Sequence, residues 1–97
     1  MSELKKYKMF INGEWVESES KKTFKTLNPE NNEPWAEVPE ASEKDVDKAV
    51  KAAQKAFEGE WSKLLPRDRG NFLRAIANKL RENAETLGKI ETMDTGK

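Results

Sequence analysis

The hydrophobic period of this chain changes at Ser42. Upstream, short runs rich in β-formers are broken every few residues by Asn, Gly and Pro. Downstream, apolar residues return at i, i+3, i+4 and i+7. Side chains alternate every two residues on a strand and every 3.6 on a helix, so one regular geometry cannot serve both halves. The chain is therefore limited to an α+β arrangement, with a β region over about 8–40 and a helical region over about 42–95.

Within the β region, Asn12-Gly13 is a two-residue hairpin signal, because a type I′ turn needs positive φ at both positions. It predicts paired strands over Lys8–Ile11 and Glu14–Glu17. Residues 18–22 are a polar connector, and 23–27 form a third strand whose alternation is imperfect. Asn28-Pro29 and the following "ENNEP" are turn chemistry. A fourth strand is expected over 35–40, with Pro39 confining it to an edge or an end.

The helical region opens with Ser42 at an N-cap and Asp45 three residues on, the spacing of a capping box. The first stripe is Val46, Ala49, Val50, Ala53, Ala56 and Phe57, mostly alanine and so able to lie close to a partner. Gly59 is expected to stop it. Residues 60–65 read as a connector. Pro66 fits the first turn of a second helix with the stripe Phe72, Leu73, Ile76, Ala77 and Leu80. Asn83 is the expected cap of a third, short helix that turns Ala84, Leu87, Ile90 and Met93 inward and ends at Gly96. Two or three helices beside a few short strands make at most one small domain.

Composition narrows the function. Of 97 residues, 35% are apolar and 37% charged. A chain of this size removes roughly 60–65% of its unfolded surface from water, so its core has little margin. That shortage suggests packing on something further. Lys plus Arg and Asp plus Glu are 18 each and intermixed, which leaves no electrostatic footprint for nucleic acid or anionic lipid. The first ten residues hold no apolar core of a signal peptide, and no run approaches the ~20 apolar residues of a membrane span. A cytoplasmic location is expected. There is no Cys and no His, so thiolate nucleophiles, imidazole bases and the usual zinc ligands are missing from these residues.

"FINGEWVES" (10–18), "TLNPENNEPWAEVPEAS" (26–42), "DVDKAVKAAQKAF" (45–57), Trp61, "PRDRGNFLRAIANKL" (66–80) and "ETMDTGK" (91–97) occur in this order and spacing. Together they resemble the N-terminal segment of the NAD(P)-dependent aldehyde dehydrogenase superfamily. The likeness runs from about Phe10 to Lys97. It implies that 1–97 are the N-terminal part of the cofactor-binding domain of a longer α/β enzyme, a homodimer or homotetramer that acts on an aldehyde with NAD or NADP. The implied chemistry is attack of a cysteine on the aldehyde, hydride transfer to the nicotinamide, and hydrolysis of the thioester by a glutamate-activated water. None of those groups is matched here. The five glycines, 13, 59, 70, 88 and 96, form no phosphate-cradling cluster. The segment is thus expected to be structural and inactive, with no catalytic and no cofactor-binding residue.

One constellation does carry over from the resemblance. Thr26, Leu27 and Asp94 match positions that in many members help hold a monovalent cation, Na+ or K+, through backbone carbonyls and the carboxylate. The plainer account makes Thr26 a strand residue and Asp94 a local acceptor at a helix end. Trp15, Trp35 and Trp61 read as packing anchors rather than an entrance lining. Arg67, Asp68 and Arg69 read as a solvated first turn rather than an interdomain salt link. Lys44, Lys48, Lys51 and Lys55 form the wet face of the first helix. The competing functional reading is a stand-alone interaction module whose Ala-rich stripe docks a partner, or a self-associating one.

Overall fold

The computed structural model describes residues 4–97. Five strands come first: β1 (Lys5–Lys6), β2 (Met9–Ile11), β3 (Glu14–Val16), β4 (Thr23–Asn28) and β5 (Glu33–Pro39). Four helices follow: α1 (Glu43–Glu58), α2 (Glu60–Lys63), α3 (Pro66–Glu82) and α4 (Ala84–Thr95). The order of strands before helices agrees with the sequence, as do three of the four expected strands to within one residue at either end. β5 begins two residues earlier than expected. Residues 60–65 hold one helical turn, α2, where a connector was expected. β1 was not expected at all.

The strands form two sheets. β2 and β3 make the hairpin, with Ile11 opposite Glu14. Asn12 and Gly13 take φ of 54° and 77°, both left-handed, as the I′ turn requires. The second sheet has the order β1-β5-β4. β4 and β5 are antiparallel, while β1 runs parallel to β5 and places Lys5 opposite Ala36. The turn between β4 and β5 is held by asparagines: the Asn28 side chain accepts from Glu30 N–H and that of Asn31 from Glu33 N–H, each at 3.0 Å. Pairing slips between Thr26, opposite Ala36, and Leu27, opposite Pro34, so that Trp35 is the extra residue of a β-bulge.

α1 starts on the expected capping box. Ser42 Oγ accepts from Asp45 N–H and the Asp45 carboxylate accepts from Ser42 N–H at 2.9 Å. Gly59 ends it, though not by a left-handed turn: its φ is −93°, and a Cβ there would sit 3.0 Å from the Lys55 carbonyl. Pro66 occupies the first turn of α3 as expected. Asn83 differs. Its side chain makes no N-cap bond to α4 and instead donates from Nδ2 to the Lys79 carbonyl at 2.9 Å, closing α3. With only one residue between the helices, the free carbonyls of α3 lie nearer than the N–H groups of α4.

Core formation is confined to one corner. α4 lies beside β4, and Ile90 and Met93 are half-buried there as expected. Ala36, in the middle strand, is fully buried and is the buried apolar residue among those described. Tyr7 meets Trp35 edge-on at 6.3 Å between ring centroids. The helical stripes behave otherwise. Val46, Val50 and Phe57 on α1, and Phe72, Leu73, Ile76 and Leu80 on α3, are all more than half exposed. Trp15 and Trp61 are exposed as well, tilted against Phe10 (4.8 Å) and Phe72 (5.8 Å), so among the described residues Trp35 is the tryptophan that anchors packing.

Candidate functional site

β4 and α4 bring together two residues 68 positions apart. Thr26 Oγ1 donates to Asp94 Oδ1 at 2.5 Å. Each position has its own cause. Thr26 sits where the β-bulge breaks the ladder, and Pro34, opposite the adjoining Leu27, brings no N–H to that ladder. Asp94 lies one residue before the end of α4, which Gly96 closes at φ 76° by donating its N–H to the Thr92 carbonyl at 2.9 Å. A Cβ on Gly96 would touch Pro29 at 3.5 Å, so the helix end abuts the turn that leaves β4. Three hydroxyl bonds tighten this end: Thr92 Oγ1 lies 3.0 Å from the Gly88 carbonyl and 2.8 Å from that of Lys97, and Thr95 Oγ1 donates to the Glu91 carbonyl.

Chemically the corner offers hard oxygens: a carboxylate, a hydroxyl and strand-end carbonyls. A carboxylate has about four lone-pair sites, of which Thr26 takes one. The carboxylate stands at the negative end of the α4 dipole, where a cation is favoured. Of the three residues transferred from sequence, Thr26 and Asp94 are joined directly, and Leu27 adjoins them with its side chain turned to solvent. No group of three or more His, Cys, Asp or Glu gathers among the described residues, so a divalent transition-metal centre has no ligand set in them.

A cleft of about 480 Å³ opens between the β1-β5 edge and α4, with Tyr7, Trp35, Asn28, Ile90 and Met93 among its lining. The Tyr7 hydroxyl and Trp35 Nε1–H are buried there without a hydrogen-bond partner among the described residues.

The most elaborate hydrogen bonding lies elsewhere. Asp45 is 6% exposed and accepts from Ser42 N–H, Ser42 Oγ–H and, through both oxygens at 3.1 Å, Glu19 N–H. The Ser42 N–H, ahead of the Glu19 N–H and the Ser42 hydroxyl, holds its pKa below the ordinary value, against the opposing effect of desolvation. The capping box was legible in the sequence; its second anchor, 26 residues upstream, was not. Arg69 donates to the Leu64 carbonyl at 3.0 Å, and no ion pair among the described residues uses Arg67, Asp68 or Arg69.

Residues 15–97 match the aldehyde dehydrogenase family. The chain is 49% identical over 89 residues to an aldehyde dehydrogenase of Aspergillus niger, covering 92% of this chain and 18% of that protein. It superimposes on a point mutant of aldehyde dehydrogenase from Bacillus cereus with a TM-score of 0.90 and 42% identity, over 95% of this chain and 19% of the other. For betaine aldehyde dehydrogenase from Staphylococcus aureus, solved with NAD+, the TM-score is 0.88 and the identity 46%, over 93% and 18%. The chain thus spans under a fifth of the length of these relatives.

Proposed function

The chain belongs to the aldehyde dehydrogenase family, and from that premise we propose that residues 1–97 are the N-terminal part of the cofactor-binding domain of an enzyme that oxidises an aldehyde to a carboxylic acid with NAD+ or NADP+. The observation that carries this reading is the close superposition, at over 40% identity, on enzymes that include an NAD+ complex.

The residues present do not make a dinucleotide site. Gly13 serves the hairpin turn, Gly59 and Gly96 end helices, and Gly70 and Gly88 lie within α3 and α4. A phosphate cradle needs glycines gathered in one strand-to-helix turn. No step of the oxidation is routed through these residues, which have neither a thiol nor an imidazole. Their part is structural, and the chain by itself is inactive. The whole enzyme is taken to be a cytoplasmic homodimer or homotetramer without nucleic-acid or membrane partners. Among the described residues no helix is long and apolar enough to cross a membrane.

The Thr26–Leu27–Asp94 corner is the place of a Na+ or K+ ion in this reading, held by the two strand carbonyls and the Asp94 carboxylate. The Thr26–Asp94 bond, the bulge and the helix dipole support it. Two measurements decide. Grafted into the Bacillus cereus enzyme in place of its matched residues, the segment should yield NAD+-dependent oxidation of a short aliphatic aldehyde; a soluble graft of correct size without turnover would reject the reading, as would turnover by the pure 97-residue chain. In the same graft, thermal midpoints should differ between sodium, potassium and choline chloride at equal ionic strength, and Asp94→Ala should erase the difference. Equal midpoints in all three salts before mutation would remove the cation.

A further inference from the structure

Lysine and glutamate are intermixed along the sequence, but the fold sorts them. Where the open end of the β2–β3 hairpin meets the second sheet lies a cavity of about 360 Å³. Lys6 of β1, Lys8 just before β2, and Lys21 and Lys22 of the 18–22 connector line it, with Glu17 and Glu37 as its acidic members. Four positive charges thus meet two negative ones, in a chain whose net charge is zero. Among the described residues none of these six side chains is in an ion pair. Glu37 is moreover outnumbered on its own sheet, where it stands opposite Lys6 of β1 and Lys25 of β4.

The connector that supplies two of the lysines is tied down. Lys21 N–H donates to the Ser18 carbonyl at 3.0 Å, and Lys22 N–H to Ser20 Oγ at 3.2 Å. The Lys22 carbonyl accepts from the buried Ser18 hydroxyl at 3.3 Å and from Glu40 N–H at 2.9 Å. Lys21 is held at φ 61°, a left-handed conformation that costs energy for any residue with a Cβ. Such strain persists only where the surroundings impose it, and it gathers at binding sites.

We propose that this cavity binds a small anion carrying two or more phosphate groups. Its volume suits one small molecule. Its surplus of two positive charges calls for at least two negative ones. All four cations are ammonium groups, compact point charges with three donors each, which suit phosphate oxygens. The planar fork that grips a carboxylate needs arginine, and none lines the cavity among the described residues. A single exposed lysine attracts an anion weakly, but a cleft with an excess of one sign focuses the field of several. The site stands independently of the reaction proposed above.

The test titrates inorganic pyrophosphate into the purified 97-residue chain by calorimetry, with sulfate at equal ionic strength as the control. One-to-one binding is expected, about tenfold tighter than sulfate, and weakening about tenfold between about 20 and 200 mM salt as exposed charges are screened. Lys21→Gln with Lys22→Gln should weaken it about tenfold, and Lys55→Gln with Lys63→Gln, the same charge change elsewhere, should not. Glu17→Gln leaves every lysine in place and should tighten binding. Lys21→Gly should weaken it while holding or raising the thermal midpoint, because glycine takes a left-handed φ without strain. ADP, run beside pyrophosphate, separates two sources of the ligand. Equal affinity means that the diphosphate group is read whatever carries it, loss means that the free anion is read, and either upholds the site. No pyrophosphate binding, binding matched by sulfate, or equal losses from the two lysine pairs overturns it. If the Lys21→Gln, Lys22→Gln chain is unfolded by circular dichroism, Glu17→Gln decides, and an affinity unchanged or lowered there overturns the site.

Discussion

The corner where β1, β5 and β4 meet α4 and the pair of helices α1 and α3 come from the same polar sequence, yet they end in opposite states. In the corner, Ala36 is fully buried, Trp35 is half-buried against Tyr7, and Ile90 and Met93 close over the sheet. On α1 and α3 the largest apolar side chains stand in water. The difference teaches that an amphipathic pattern states which face of a helix is apolar, and not that the residues near it in sequence will cover it. α3 was expected to turn Phe72, Leu73, Ile76, Ala77 and Leu80 toward a core; of these only Ala77 is half-buried.

The sharpest way to break the comparison is to place one charge in each region. Ala36→Asp puts a carboxylate between β1 and β4 with no partner. It should cost more than about 3 kcal/mol, enough to abolish cooperative urea unfolding of a small domain followed by circular dichroism. Ile76→Asp in the isolated chain should change stability by less than about 0.5 kcal/mol, because that side chain is already 56% exposed. Equal losses at the two sites would place α3 in the same core as β5.

Next in size is the Asp45 junction, which ties α1 to the turn after β3. Because the folded-state pKa is lowered, the carboxylate contributes stability above its ordinary pKa of 3.8, and that contribution is lost as pH falls through the lower folded value. Asp45→Asn should therefore flatten the acid limb of a stability-against-pH curve and speed amide exchange at Glu19. An acid limb unchanged by the substitution would mean that the two Glu19 contacts do not hold in solution.

These cases show what was legible. The hairpin, the capping box and the start of α3 are local codes: Asn12-Gly13, Ser42 with Asp45, and Pro66 each fix their own dihedral angles or cap their own neighbours. β1 carries no such code. Lys5 and Lys6 have no apolar alternation, and the strand exists because a parallel edge of β5, 31 residues away, accepts it. The Thr26–Asp94 contact likewise has no periodic signal; those positions were reached through the family resemblance alone, and what the resemblance assigns to them beyond proximity stands as the proposal above. Asn83 failed for a local reason, since two helix ends compete for one amide.

A smaller effect sharpens the view of the corner itself. Gly96 holds φ 76°, which an alanine adopts only at a cost of about 1 kcal/mol, while the added Cβ meets Pro29 at an ordinary 3.5 Å. Gly96→Ala should lower the thermal midpoint of the chain and loosen the Thr26–Asp94 bond, seen as faster exchange at the end of α4. A neutral substitution would show that this helix end is already frayed.

The smallest effect separates two ways of holding one turn. Lys44 Nζ lies 3.9 Å from the Glu19 carboxylate, with the two side chains 81% and 53% exposed, while the Glu19 N–H is held by buried Asp45. At that distance, in solvent, the Coulomb gain is small and the entropy of fixing two long side chains opposes it. Lys44→Ala should therefore change the free energy of urea unfolding by less than about 0.5 kcal/mol, and the difference should vanish in molar salt, where screening acts within about 3 Å. Asp45→Asn should keep its effect in the same salt, because its bonds run to backbone N–H groups out of solvent. If Lys44→Ala proved the larger change and salt erased it, the turn after β3 would be held from the surface, and α1 would be joined to the β region far more loosely than the buried carboxylate implies.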